Sequence, residues 1–235
     1  MVQLRPARRR CAPRRGLEPR PDAAADLGDP RGAPPEPAPH PTSAPVTDRE
    51  HWQERHALRP ERTAPSAFVE RHVAHLAARA KGARALDVAC GSGRHTLLLL
   101  ELGFRAVAFD HASAACRRLA AEDKRVRTVV ADADALPFRA ATFALIVQTR
   151  FLDRRIVPDL LRLLEPGGAL LIETFLVAQH ETTGHPRREF CLEPGELERL
   201  CRGAGCAVHV LECCEGVVGA GRQATHLAAI ALCKV

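Results

Sequence analysis

Tyrosine is absent from the 235 residues, and tryptophan and methionine occur once each. Lysine is nearly absent too: Lys81, Lys124 and Lys234 stand against 31 arginines, a skew of GC-rich coding rather than of function. No run approaches the roughly 18 apolar residues that a membrane-crossing helix needs, so a spanning protein is not expected. The nine cysteines include no Cys-x-x-Cys pair, and their odd number in a chain of this length argues for reduced thiols rather than a disulfide framework. The opening Met1-Val2-Gln3-Leu4-Arg5-Pro6 lacks the apolar core of a secretory signal peptide. A cytoplasmic protein is the expectation.

Charge is scarce where it would matter most for nucleic acid. The net charge of +6 resides in residues 1–20, where Arg5, Arg8, Arg9, Arg10, Arg14, Arg15 and Arg20 face Glu18 alone. The remainder is neutral and offers no sign of the basic face that phosphate binding requires. Nucleic acid is therefore not an expected partner of the folded part.

What is present divides the chain in two. Residues 1–48 hold eleven of the eighteen prolines and almost no large apolar side chains. Such a segment cannot bury enough surface to offset its ordering entropy, and disorder is expected there. A misassigned start and a targeting peptide are alternatives, the second weakened because the segment is neither amphipathic nor Ser-rich. From residue 49 the texture is that of a folded domain. Asp48 is placed to cap a short helix beginning Arg49-Glu50-His51-Trp52, and Ser66 heads a helical segment with Phe68, Val69, His72, Val73 and Leu76 on one face.

Strand-like and helix-like stretches then alternate. Strands are expected over 84–89, 105–110, 126–131, 143–149 and 169–174, with helices over 94–102, 113–122 and 156–164 between them. Glu165-Pro166-Gly167-Gly168 reads as a turn. That order predicts an α/β protein with a parallel sheet covered by helices on both faces. A helix over 194–202 and two final strands, 206–213 and 224–233, follow. The glycines between those strands, with no helix there, predict an antiparallel C-terminal hairpin at one edge.

Four features carry chemistry, in order. Leu86-Asp87-Val88-Ala89-Cys90-Gly91-Ser92-Gly93-Arg94-His95 runs from a strand through a glycine turn into a helix, where backbone can approach a ligand closely. The dinucleotide fingerprint needs a third glycine at position 96, which is Thr96, and this weakens a nicotinamide reading. Asp110, nineteen residues after Gly91, stands where a carboxylate holds a ribose diol. Asp132 and Ala133 follow the third strand, where an acid and a backbone N–H can read adenine. Leu163 to Ile172 is a helix–turn–strand unit that places the fifth strand.

This order resembles the class I S-adenosylmethionine-dependent methyltransferases over residues 65–235, most closely the small single-domain bacterial type that includes tellurite-resistance-like enzymes. Gly184-His185-Pro186 through Phe190-Cys191-Leu192-Glu193-Pro194 is similar to that branch more loosely. The resemblance implies a Rossmann-like seven-stranded, mostly parallel sheet and S-adenosylmethionine as cofactor. It implies that Asp87, Gly91 and Gly93 shape the methionine pocket, that Asp110 binds the ribose and that Asp132 with Ala133 reads the adenine. Ala89, His111 and Gln148 complete the expected cofactor-binding set. Ala144 and His111 depart from residues common in relatives.

On the acceptor side, Arg150 after the fourth strand fits an anion clamp, with pairing to Asp153 as the bland alternative. His180 and His185, in the segment after the fifth strand, fit a base or an acceptor-binding role against a merely solvated loop. Gln148-Thr149-Arg150-Phe151 replaces the Asn-Pro-Pro-Tyr-like stretch of enzymes that methylate base or glutamine amino groups. Cys90 fits a buried filler, and Cys213-Cys214, adjacent on a strand, point to opposite faces, so no metal site is expected. The sequence thus predicts methyl transfer to a small molecule. An RNA or protein methyltransferase using the basic tail, and a non-catalytic cofactor-binding scaffold, are the alternatives.

Overall fold

The computed structural model describes residues 52–54, 56–58, 62–78 and 80–235. The 1–48 extension and the Asp48 cap lie outside these residues. Residues 52–54 and 56–58 are helical and lead toward helix α1 (Ala67–Ala77). Ser66 caps α1 as its spacing predicts, its hydroxyl accepting from the Val69 N–H.

Alternation follows. Strand β1 (Arg84–Val88) leads to α2 (Arg94–Glu101), β2 (Arg105–Asp110) to α3 (Ser113–Glu122), and β3 (Arg127–Val130) through a 3-10 turn to β4 (Phe143–Thr149). Helix α4 (Val157–Leu163), β5 (Leu164–Phe175), α5 (Val177–Thr183) and α6 (Glu196–Arg202) come next. Strands β6 (Val208–Val218) and β7 (Thr225–Lys234) complete the domain. The seven strands form one sheet in the order β3-β2-β1-β4-β5-β7-β6. The first five pair in parallel, while β7 runs antiparallel to both β5 and β6. The predicted architecture, including the reversed terminal hairpin, is the one observed.

Strand alternation sends successive side chains to opposite faces, and the two faces differ in size. Leu86, Val88, Ile146, Leu170, Ile172, Ile230 and Leu232 pack against α4 and α6. Ala85, Ala106, Ala108, Leu145, Ala169, Ala229 and Ala231 lie against α1, α2 and α3. The alanine-rich face lets those three helices approach closely, and they carry the residues that frame the site.

Two local readings are corrected. The Glu165–Gly168 turn is incorporated into β5, whose pairing with β4 shifts register between Phe143 and Leu145 to accommodate the extra residues. The segment after β5, read as loop, contains α5, which closes at Gly184 in the left-handed region. Strands are added outward from β1 through β2 to β3 and then on the other side through β4 to β5, so the crevice at the carboxyl ends of β1 and β4 is the topological switch point where such sheets bind ligands.

Candidate active site

The glycine turn after β1 is built by its own backbone needs. Ala89, Gly91 and Gly93 all have positive φ, at 54°, 52° and 77°. Gly93 also has no room for a side chain. A Cβ there would lie 2.7 Å from Leu119 Cδ2 and nearer still to Cδ1. The turn is fastened to β2 by Asp110, 3% exposed, whose Oδ2 accepts from the Gly91 N–H (2.9 Å) and whose Oδ1 accepts from the Ala112 N–H (2.8 Å). Each carboxylate oxygen has a second lone pair, so two further donors can be received. His111 Nδ1 lies 3.7 Å from Asp110 Oδ1.

Asp87 sits beneath the turn, fully enclosed. Its Oδ2 accepts from the Thr96 hydroxyl at 2.6 Å. Burial pushes its carboxyl up to about 7, against the lowering effect of the Thr96 hydrogen bonds. Thr96 therefore does what a third glycine cannot: it satisfies a buried acid. Cys90 is buried beside Cys116, and the hydrogen bond between the thiols, together with burial, holds the Cys90 thiol well above its usual range. It is a poor nucleophile there.

Asp132 lies at the start of the 3-10 turn Ala133–Ala135, exposed, with Ala133 partly buried next to it. Its neighbour Asp134 pairs with Arg155 at 2.6 Å. Gln148, on β4 directly beside Val88 of β1, is wholly buried. Its Nε2 donates to the Phe151 carbonyl (3.0 Å), while its Oε1 has no partner. An unsatisfied buried acceptor at the switch point suits a ligand donor.

A second polar cluster lies at the ends of β4 and β5. Arg150 has a positive φ of 56°, its N–H donates to the Glu173 carbonyl (2.8 Å), and its guanidinium lies 4.9 Å over the Phe175 ring. Arg150 Nε is 3.7 Å from Glu173 Oε1 and makes no hydrogen bond. Glu173 Oε2 instead accepts from the Ser66 hydroxyl at 2.7 Å. His95, in the first turn of α2, completes the cluster. Its Nε2 accepts from the Ser66 N–H (3.0 Å), so the proton is on Nδ1, which donates to Thr149 Oγ1 (3.1 Å). Burial, with Arg94 and Arg150 nearby, drives His95 down to about 3 and keeps it neutral.

Thus Arg150 stands in the crevice and does not pair with Asp153, which binds Arg155 instead. His180 turns toward its own loop, Nδ1–H donating to the Pro186 carbonyl (2.8 Å), and His185 is exposed. Among the described residues, neither is hydrogen-bonded to the Arg150–Glu173 cluster. Glu173 was not anticipated. A lone acid inside Leu-Leu-Ile-Glu-Thr-Phe gives no pattern, and only its burial marks it. Among the described residues no group of three or more His, Cys, Asp or Glu is placed to hold a metal ion.

Residues 85–168, from β1 into β5, match a family model described as a methyltransferase domain. A solved S-adenosylmethionine-dependent methyltransferase from Methanosarcina mazei aligns with a TM-score of 0.59 at 19% identity, over 74% of this chain and 99% of that one. The fold is that of the class I S-adenosylmethionine-dependent methyltransferases, and residues 85–168 are similar to a methyltransferase-domain family. S-adenosylmethionine is the cofactor that this family implies. The open lone pairs of Asp110, the glycine turn and the unpartnered Gln148 Oε1 fit it. A demethylmenaquinone methyltransferase of Clavibacter sepedonicus is 36% identical over 102 residues, 40% of this chain. The chain spans 42% of that relative's length. The [4+2]-cyclase SpnF aligns at a TM-score of 0.54 and 19% identity, over 75% of this chain and 84% of its own. The same methyltransferase fold therefore also serves a cyclase.

Proposed function

We propose that the protein transfers a methyl group from S-adenosylmethionine to a small molecule bearing an anionic or readily ionised atom. The observation that carries this is Arg150, a strained, half-buried guanidinium whose Nε has no hydrogen-bond partner at the carboxyl end of β4. Strained backbone clusters at functional sites, and this residue accepts it without being glycine. The curated relative, named for a quinone-type acceptor, is in keeping with a small molecule. The tellurite-resistance-like subtype stays part of this proposal only as a resemblance.

When bound, S-adenosylmethionine supplies an electrophilic methyl group on a positively charged sulfur. The chain supplies alignment and a dry pocket. Asp110 holds the ribose, with Asp132 and Ala133 toward the adenine and Asp87, Ala89, Gly91, Gly93, His111 and Gln148 around the remainder. Arg150 holds the acceptor's anionic atom, with Phe175 behind the guanidinium and Glu173 beside it. Ser66 fixes Glu173, and neutral His95 fixes Ser66 and Thr149. A thiol or enol acceptor ionises readily, whereas a hydroxyl needs a base. His180 has a lone pair at Nε2 for that proton, because Nδ1 carries its hydrogen to Pro186. His185 on the same segment lines the acceptor's approach.

The test is release of S-adenosylhomocysteine from S-adenosylmethionine in the presence of phenols, quinols, thiols and small acids. Turnover is expected with at least one class. Arg150→Ala should cut it by about a hundredfold, some 2.7 kcal/mol of transition-state stabilisation, with cofactor affinity unchanged. His180→Ala and His185→Ala should lower turnover and spare affinity; full activity in both removes them from the mechanism. Binding without turnover across the whole panel would make the protein a cofactor-binding scaffold.

A further inference from the structure

Residues 52–54, 56–58 and 62–66 make contacts that fall on the elements framing the glycine turn. Gln53 donates from Nε2 to the Ser113 hydroxyl (3.2 Å), and its Oε1 accepts the Ala114 N–H (3.1 Å), both in the first turn of α3. Arg118, one turn further on, donates to the His56 carbonyl (3.3 Å). The His56 ring lies against Gly91, where a Cβ would meet its Cε1 at 3.1 Å. Trp52 stacks on that ring with centroids 5.8 Å apart and planes at 25°. Arg62 donates from Nε to the Ser92 carbonyl (2.8 Å) and grips both Glu122 oxygens at 2.6 Å. Arg94 donates to the Thr63 hydroxyl (3.0 Å), and Ser66 binds Glu173 and His95 as described.

The Gly91–Gly93 turn is thus held from two sides. Asp110 binds the Gly91 N–H from the sheet, while His56 and Arg62 meet Gly91 and Ser92 from thirty or more positions earlier in the chain. Both rings of the Trp52–His56 stack are half-buried. The stack lies against Gly91, whose N–H is bound by the Asp110 carboxylate, and its neighbour Gln53 binds the first turn of α3. An aromatic surface at that place has the shape to cover a flat heterocycle and exclude water from a nearby cation.

We propose that Trp52, Gln53, His56 and residues 62–66 form the outer wall of the cofactor pocket, with the His56 ring, backed by Trp52, packing on the adenosyl half of S-adenosylmethionine. This rests on the cofactor reading above. Arg62 is then a positioning residue. Its bidentate grip on Glu122 sets the distance between wall and turn, and its bond to Ser92 ties the wall to the turn itself.

The chain carries its own reporter. Trp52 is the one tryptophan and there is no tyrosine, so intrinsic emission comes from this wall alone. The probe is S-adenosylhomocysteine, titrated into the full chain and followed in parallel by heat and by Trp52 emission. Saturation should shift the emission to the blue and reduce acrylamide quenching about twofold. His56→Ala should abolish the shift, and both His56→Ala and Arg62→Ala should weaken binding by about threefold to tenfold, where tenfold corresponds to about 1.4 kcal/mol. Heat of binding with unchanged emission and quenching overturns the wall while leaving the cofactor site intact. Tighter binding by His56→Ala overturns it too, because the ring would then obstruct the pocket. No heat with the folded full chain overturns the cofactor reading itself.

Discussion

Asp87 and His95 are eight positions apart, and burial has pushed their titrations in opposite directions. The Asp87 carboxyl, raised to about 7, binds its proton more tightly in the folded state than in the unfolded chain. Its contribution is therefore most favourable at low pH and is lost as pH rises from about 4 to about 7. The His95 imidazole, lowered to about 3, takes its proton first in the unfolded chain. Its contribution is present above about pH 6.5 and is lost on acidification toward 3. Across roughly pH 4 to 6.5 the two slopes oppose each other, so removing either group should tilt the pH profile of urea denaturation away from that of the native protein. Asp87→Asn, which keeps an oxygen for Thr96, should uncover a loss of stability on acidification. His95→Gln should uncover the opposite slope. Parallel profiles for all three proteins would refute this account. Gly93→Ala is a further test at this scale. It combines a positive φ with a clash against buried Leu119, and should cost at least about 2 kcal/mol in denaturant titration.

At the scale of elements, periodicity alone makes most of the fold legible. Strands β2 and β4 and helix α3 run over the expected residues because each has an unambiguous apolar pattern bounded by glycine or a charged residue. Helix α5 escaped because Val177–Thr183 is two turns of mixed polarity, held by the Gln179 side chain and by Leu176 and Val177 backbone bonds to Leu192 and His226 rather than by an apolar face. The site divides in the same way. Gly91, Gly93 and Asp110 were legible because backbone geometry demands those residue types near one strand end. Glu173 and the Trp52–His56 contact on Gly91 were not, because they join residues 35 to 107 apart and no local spacing encodes such a meeting. Ser66 ties the two levels together, as both the cap of α1 and a donor to Glu173. Ser66→Ala should lower stability by about 1–2 kcal/mol in urea titration. Ser66→Thr, which retains the hydroxyl, should recover most of it.

For the whole molecule, the sheet order fixes where protection concentrates. Strands β1, β4 and β5 have neighbours on both sides and buried runs such as Leu145–Val147 and Ala169–Ile172. Strand β3 is an edge of four residues, and β6 is an edge with alternating exposure. Amide hydrogen exchange should therefore be slowest in β1, β4 and β5 and faster by at least about a hundredfold in β3 and in Val217–Val218. Uniform protection across the sheet would contradict this. The order also splits the work along the chain. The glycine turn and Asp110 come from the chain before residue 135, and Arg150 and Glu173 from the chain after Gln148.

Strand β7 lies between β5 and β6, though both precede it in the chain. A ribosome therefore delivers the centre of this half of the sheet after its border. Until residues 225–234 emerge, the β5 edge from Ala169 to Phe175 presents unpaired backbone and an apolar row to the cell, and β6 has nothing to pair with. The nascent chain is exposed longest along the strand that carries Glu173. Chaperones and folding catalysts would thus meet the half that carries Arg150 and Glu173, while the β1–β2 half with the glycine turn is already assembled.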